Sequence, residues 1–128
     1  MDNKELYNKA KEATDNAYAP FSKFYVGAAL LAKSGEVYTG VNVENSSYGA
    51  TICAERSAFV KAVTAGEREF EKIAVATREG SAWPCGICRQ FMWEFCDQDF
   101  LVITGEDGDK LVVKTLGNLF PEGFRLST

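Results

Sequence analysis

Histidine is absent from the 128 residues. Its absence excludes Ser-His-Asp and Cys-His nucleophile schemes and removes the commonest neutral metal ligand. Any metal site in this chain must be built from thiolates and carboxylates. Long apolar runs are lacking as well. The longest, Val26–Ala32, suits a buried strand and is far too short to span a membrane. The chain starts without a recognisable export signal, which predicts a cytoplasmic protein whose thiols stay reduced. Its four cysteines are then expected to be metal ligands or free thiols rather than disulfides. A basic excess is missing too: 14 Lys and Arg face 18 Asp and Glu, for a net charge of −4. Nucleic-acid binders concentrate positive charge on one face. Here the basic residues are scattered, with only a loose cluster at Lys9, Lys11 and Lys23 that reads as a solvated face. The expected partner is a small molecule, with no nucleic acid and no membrane.

What is present is ample apolar material. Hydrophobic residues make up 46% of the chain, enough for one domain over residues 1–128 with a core that needs no staples. Leu6, Ala10, Ala13 and Ala17 recur at helical spacing, so residues 2–18 read as an amphipathic helix capped by Asp2 and ended before Pro20. Val26–Ala32 and residues 36–43 read as strands of a hairpin around Lys33-Ser34-Gly35. Residues 45–51 are polar and loop-like. Residues 53–65 read as a helix closed by Gly66, residues 72–77 as a strand, and residues 84–96 as a helix opened by Pro84. Residues 100–104 and Lys110–Thr115 read as strands around an Asp107-Gly108 turn, and the tail from Leu116 has no clear period. Helices alternating with strands predict an α/β fold in three layers, a five-stranded mixed sheet with helices on both faces.

The strongest chemical signal is Cys53-Ala54-Glu55 followed by Pro84-Cys85-Gly86-Ile87-Cys88. A Cys-x-x-Cys at a helix start places two sulfurs on one face. Cys53 supplies a third. Three protein ligands with an open fourth position are the arrangement of a catalytic zinc, whereas a structural zinc wants four. Cys96 lies about 12 Å further along the helix from Cys88 at 1.5 Å per residue, too far for the same ion, and reads as a buried apolar thiol. Helix starts favour anionic sulfur. Arg56 and Arg89 each follow a ligand and are candidates to offset the surplus negative charge by hydrogen bonds to sulfur, with plain surface exposure as the alternative for both. Other uses of the motif remain open at this point. A thioredoxin-type redox pair has no need of Cys53 or Glu55. A structural zinc knot needs a fourth ligand. A zinc-stabilised binding module needs neither Glu55 nor an open position.

The segments Thr51-Ile52-Cys53-Ala54-Glu55-Arg56-Ser57-Ala58 and Pro84-Cys85-Gly86-Ile87-Cys88-Arg89-Gln90 closely resemble the cytidine deaminase family, in its short, tetrameric branch. The resemblance extends through Tyr18-Ala19-Pro20-Phe21-Ser22-Lys23-Phe24, Val26-Gly27-Ala28-Ala29-Leu30 and Gly40-Val41-Asn42-Val43-Glu44-Asn45. It implies one Zn²⁺ per chain on Cys53, Cys85 and Cys88, with Glu55 moving protons as cytidine or deoxycytidine becomes uridine or deoxyuridine and ammonia. It implies that Phe24 packs against the nucleoside, that Asn42 and Glu44 hold the ribose 3′-hydroxyl, and that the Ala54 backbone donates to the pyrimidine O2. Asn42 and Glu44 have an alternative role as braces for the loop ahead of Cys53. Tyr48 and Phe124 are implied to reach across subunit boundaries of a homotetramer. Phe59, Phe91, Trp93 and Phe95 are a further reason to expect assembly, unless one core absorbs them. The sequence departs from the family pattern at Trp83, at Phe91-Met92-Trp93 and in its short tail after Phe124.

Overall fold

The computed structural model describes residues 1–106 and 110–128. Its centre is a five-stranded sheet in the order β2-β1-β3-β4-β5. The strands are β1 (Val26–Ala32), β2 (Val37–Val41), β3 (Phe70–Thr77), β4 (Leu101–Glu106) and β5 (Lys110–Thr115). β1 pairs antiparallel with β2 and β3, β3 pairs parallel with β4, and β4 pairs antiparallel with β5. The expected mixed sheet is therefore present. The Asp107-Gly108 turn lies outside the described residues.

The helices are α1 (Asn3–Ala13), α2 (Ala54–Thr64), α3 (Gly86–Phe95) and the short α4 (Leu116–Leu119). β1 is buried along its whole length because both faces of the sheet are covered. On one face, Leu6, Tyr7 and Ala10 of α1 pack against Ala29, Leu31, Ala74, Ala76 and Ile103. On the other, α2 and α3 pack against Ala28, Leu30, Ile73, Val75 and Val102. Each fully buried Leu, Ile or Val contributes about 1.5–3 kcal/mol. Phe59, fully buried, gathers Phe70, Phe91, Phe95 and Phe100 at centroid distances of 5.0, 6.0, 6.2 and 6.2 Å. Of the aromatic side chains of α2 and α3, Phe59 is core material, whereas Phe91, Trp93 and Phe95 pack against the core while staying partly exposed.

Two glycines set how closely helices approach the sheet. A Cβ on Gly27 would lie 2.1 Å from the Ala10 carbonyl oxygen of α1. One on Gly40 would lie 2.4 Å from Ala58 N and 2.5 Å from Ala54 O, so β2 meets the first turns of α2 backbone to backbone. That contact seats the turn that carries Cys53.

Element ends differ from expectation for local reasons. Asp2 does cap α1, accepting from Glu5 N at 2.8 Å. The helix stops at Ala13 instead of residue 18. The Thr14 hydroxyl bonds back to Lys11 O at 2.6 Å, and Thr14–Asn16 tightens into a 3₁₀ turn ahead of Pro20. β2 ends at Val41, and Asn42 to Glu44 continue extended without a regular ladder: Val43 bridges both Tyr18 and Ile52. The aperiodic tail opens with α4, capped by the Thr115 hydroxyl, which accepts from Asn118 N at 3.2 Å.

Candidate active site

Cys53 and Cys85 are the N-cap residues of α2 and α3, both in extended conformation. An N-cap side chain usually accepts from the first-turn N–H groups. Neither cysteine makes that bond. Their sulfurs lie 3.8 Å apart, and the Sγ atoms of Cys53, Cys85 and Cys88 all lie within 4.8 Å of one another. Zn–S bonds of about 2.3 Å in a tetrahedron require S–S edges of about 3.8 Å. The donor set therefore fits one zinc ion per chain with a fourth position open. Among the described residues this is the one such grouping of metal-binding side chains. Cys96 caps the far end of α3, buried in the core, and burial pushes its thiol up to about 12.

The electrostatics favour anionic sulfur. The Cys53 thiol is pushed down to about 5, first by its hydrogen bond with Cys88 and then by Arg56, against the cost of burial. The same S–H···S hydrogen bond and then burial raise the Cys88 thiol. A dication takes the place of such a proton. Arg56 Nη2 donates to Cys53 Sγ at 3.4 Å, while its Nε is buried without a partner among the described residues. Arg89 does not serve the sulfurs in this way. Its Nε donates to Pro84 O at 2.7 Å and its Nη1 to Leu119 O at 2.6 Å. It ties the loop before Cys85 to α4, because those carbonyls lie within reach and have no helix partner of their own.

Glu55 follows in the first turn of α2 and is 5% exposed. Desolvation raises its carboxyl to about 7, and the neighbouring Cys53 charge adds to the rise. Its own backbone N–H, Arg56 and Cys88 pull weakly the other way. Ala54, fully buried, opens the same helix, where N–H groups have no intrahelical partner.

Asn42 and Glu44 hold one loop from both sides. Asn42 Oδ1 accepts from Val26 N at 3.0 Å, and its Nδ2 donates to Phe24 O at 2.7 Å. Glu44 Oε1 accepts from Phe21 N at 2.9 Å and Ser22 N at 3.1 Å, and Oε2 accepts from the Ser22 hydroxyl. Those bonds keep the Glu44 carboxyl below the usual carboxylate range, the Ser22 hydroxyl contributing most. The loop ahead of Cys53 is instead held by its own residues: Val43 and Ile52 exchange N–H···O bonds of 3.0 and 3.1 Å, and Thr51 Oγ1 accepts from Asn45 N at 3.1 Å. A hollow of about 350 Å³ lies among Phe21, Ser22, Glu44, Asn45, Tyr48 and Thr51.

Phe24, Tyr48 and Phe124 are 46%, 80% and 65% exposed in the single chain, where core side chains would be covered. Phe124 does not line that hollow. The tail carrying it is bolted along α3. Arg125 donates to Trp93 O at 2.6 Å and Cys96 O at 3.2 Å, and Gln90 Nε2 donates to Phe124 O at 3.1 Å. Ser22, Gln90 and Arg125 were not singled out from sequence. Ser22 alone had a local signal, a hydroxyl two residues ahead of Phe24, which is the spacing of a serine turn.

A mixed sheet holding three convergent thiolates at two helix starts, beside a buried carboxyl, defines an α/β protein with a catalytic-type zinc centre. Comparison with known proteins narrows this. The family described as "Cytidine and deoxycytidylate deaminase zinc-binding region" matches residues 1–104, and the chain belongs to that family. It is 48% identical over 126 residues to a cytidine deaminase of Sporosarcina psychrophila, covering 97% of this chain and 92% of that protein. The crystal structure of cytidine deaminase from Burkholderia pseudomallei superposes with a TM-score of 0.91 at 43% identity, covering 97% of this chain and 100% of that one. Cytidine deaminase from Mycobacterium tuberculosis superposes with a TM-score of 0.86 at 37% identity, over 98% and 99% of the two chains.

Proposed function

We propose that this protein hydrolyses the 4-amino group of cytidine and 2′-deoxycytidine, giving uridine or 2′-deoxyuridine and ammonia, as a step of pyrimidine salvage. The observation that carries the reading is the juxtaposition of three thiols, all within 4.8 Å of one another, with the buried Glu55 carboxyl, raised to about 7. A structural zinc knot has no use for that carboxyl, and a redox pair has no use for the third thiol. Zinc on Cys53, Cys85 and Cys88 supplies the Lewis acidity that makes water a nucleophile near neutral pH.

The chain's own residues do the rest. Glu55 takes one proton from the attacking water and gives it to ring N3. It then takes the second from the hydroxyl so added at C4 and gives it to the departing amine, so both protons of the water are accounted for. Its proton affinity near neutrality suits both directions. Arg56 stabilises the Cys53 thiolate. The Ala54 N–H, at an unpaired helix start, orients the ring through O2. Phe24 covers one face of the nucleoside, and Asn42 with Glu44 holds the 3′-hydroxyl.

The exposed rings of Tyr48 and Phe124 support a homotetramer in which neighbouring copies complete each site. A reducing, cytoplasmic setting suits three free thiols. No helix of the described residues is long and apolar enough to cross a membrane. The test is direct: zinc-loaded protein mixed with cytidine is expected to erase the cytosine absorbance band and release one ammonia per nucleoside. No absorbance change at full zinc content would reject the activity.

A further inference from the structure

Glu44 is already heavily engaged without any ligand. An ionised carboxylate offers about four lone-pair sites. Phe21 N and Ser22 N take two on Oε1, and the Ser22 hydroxyl takes one on Oε2. One site on Oε2 remains for a ligand hydroxyl. The same Ser22 Oγ accepts from Phe24 N at 3.0 Å. The three groups form a chain, Phe24 N–H to Ser22 O–H to Glu44, in which each bond polarises the next. Lys23 sits inside this turn at φ 59°, a left-handed conformation that non-glycine residues adopt only when their surroundings hold them there. At the other end of the residue, Asn42 Nδ2 holds Phe24 O at 2.7 Å. Both backbone polar groups of Phe24 are thus fixed by side chains of other residues, and the fixing of its N–H runs through one hydroxyl.

We propose that Ser22 is a positioning residue of the site. Its hydroxyl holds the Glu44 carboxylate in the rotamer that faces the sugar and, through the Phe24 amide, sets the aromatic ring against the base, so that the two halves of the nucleoside grip move as a unit. This rests on the assignment of Phe24 and Glu44 as nucleoside contacts. Without the hydroxyl, Oε1 keeps its two amide donors while Oε2 loses its anchor, and the left-handed turn at Lys23 loses its brace at Phe24.

The test compares Ser22→Ala and Ser22→Thr as zinc-loaded proteins, by steady-state kinetics and by amide hydrogen exchange without ligand. For Ser22→Ala, KM for cytidine is expected to rise about 10-fold, the worth of one hydrogen bond to a charged group, with kcat changed less. With 3′-deoxycytidine, which lacks the hydroxyl that Glu44 grips, the rise is expected to be smaller. Ser22→Thr, which keeps the hydroxyl, is expected to restore most of the loss. Adding Ser22→Ala to Glu44→Ala is expected to cost little more than Glu44→Ala alone, because residues acting through each other are not additive. Exchange of the Phe24 amide is expected to quicken about 10-fold in Ser22→Ala as its hydrogen bond is lost. Wild-type KM and wild-type exchange in Ser22→Ala would overturn the proposal, as would full additivity with Glu44→Ala. If the wild-type protein leaves cytidine untouched, the proposed activity fails on its own. Hydrogen exchange then decides Ser22: an unchanged Phe24 amide in Ser22→Ala refutes its positioning of that loop.

Discussion

Asn42→Ala is expected to weaken the fold as well as the site. Asn42 is 9% exposed, and its amide bonds both the Val26 N–H that opens β1 and the Phe24 carbonyl. Val26 is 7% exposed, so its N–H has no ready access to water once the Asn42 oxygen is gone. Leaving one buried group unpaired costs about 1–3 kcal/mol, and losing the more exposed Phe24 bond adds about 1 kcal/mol, for a total of about 2–4 kcal/mol. A chain of this size loses roughly 4 °C in Tm per kcal/mol, so the variant is expected to melt roughly 8–16 °C lower. The assay is calorimetry of zinc-loaded wild type and variant at one protein concentration, since metal and assembly both shift apparent stability. If Asn42 served only the sugar, Tm would hold and KM would rise for cytidine and 2′-deoxycytidine alike, since both carry the 3′-hydroxyl. A Tm within about 2 °C of wild type would refute the bracing role.

Three further outcomes follow from the same geometry. Cys53→Ala, Cys85→Ala and Cys88→Ala are each expected to lose zinc, whereas Cys96→Ala keeps it; elemental analysis showing full occupancy in any of the first three would remove that residue from the ligand set. Glu55→Gln keeps the shape and the zinc but cannot carry the proton, so turnover is expected to fall by about 10²–10⁴, and near-normal turnover would strip Glu55 of its role. Glu44 is more acidic in the folded protein than an ordinary carboxylate because the Ser22 hydroxyl and two amides favour its charged form. Its contribution to stability is therefore complete above the unfolded carboxylate's pKa and is lost as pH falls through the lower folded value. The stability gap between wild type and Glu44→Gln, read from urea melts across acid pH, is expected to close in that direction; a gap that widens on acidification would contradict it.

Much of this protein was legible in its sequence because the signals are local. Strand β1 is an unbroken apolar run, which only a sheet covered on both faces can bury. The ligands announce themselves because the chain has no histidine, a Cys-x-x-Cys after Pro84 and a cysteine two residues ahead of Glu55. Helix starts put those sulfurs where backbone N–H groups favour thiolate, and that inference needs no coordinates. What sequence could not decide was where polar groups find partners across long separations. Arg56 and Arg89 both follow ligands, yet one bonds sulfur and the other bonds the carbonyls of Pro84 and Leu119. Asn42 and Glu44 were legible as a pair, but that they brace the Phe24 loop depends on residues 16 to 23 positions away. Likewise Phe59 and Phe70 went inside while Phe24 and Phe124 stayed out, although all four are phenylalanine. Periodicity decides which side of an element is apolar. The approach of β2 to α2 at Gly40, the tail folded along α3 and the left-handed turn at Lys23 decide which side chains meet, and those exist only once the chain has closed on itself.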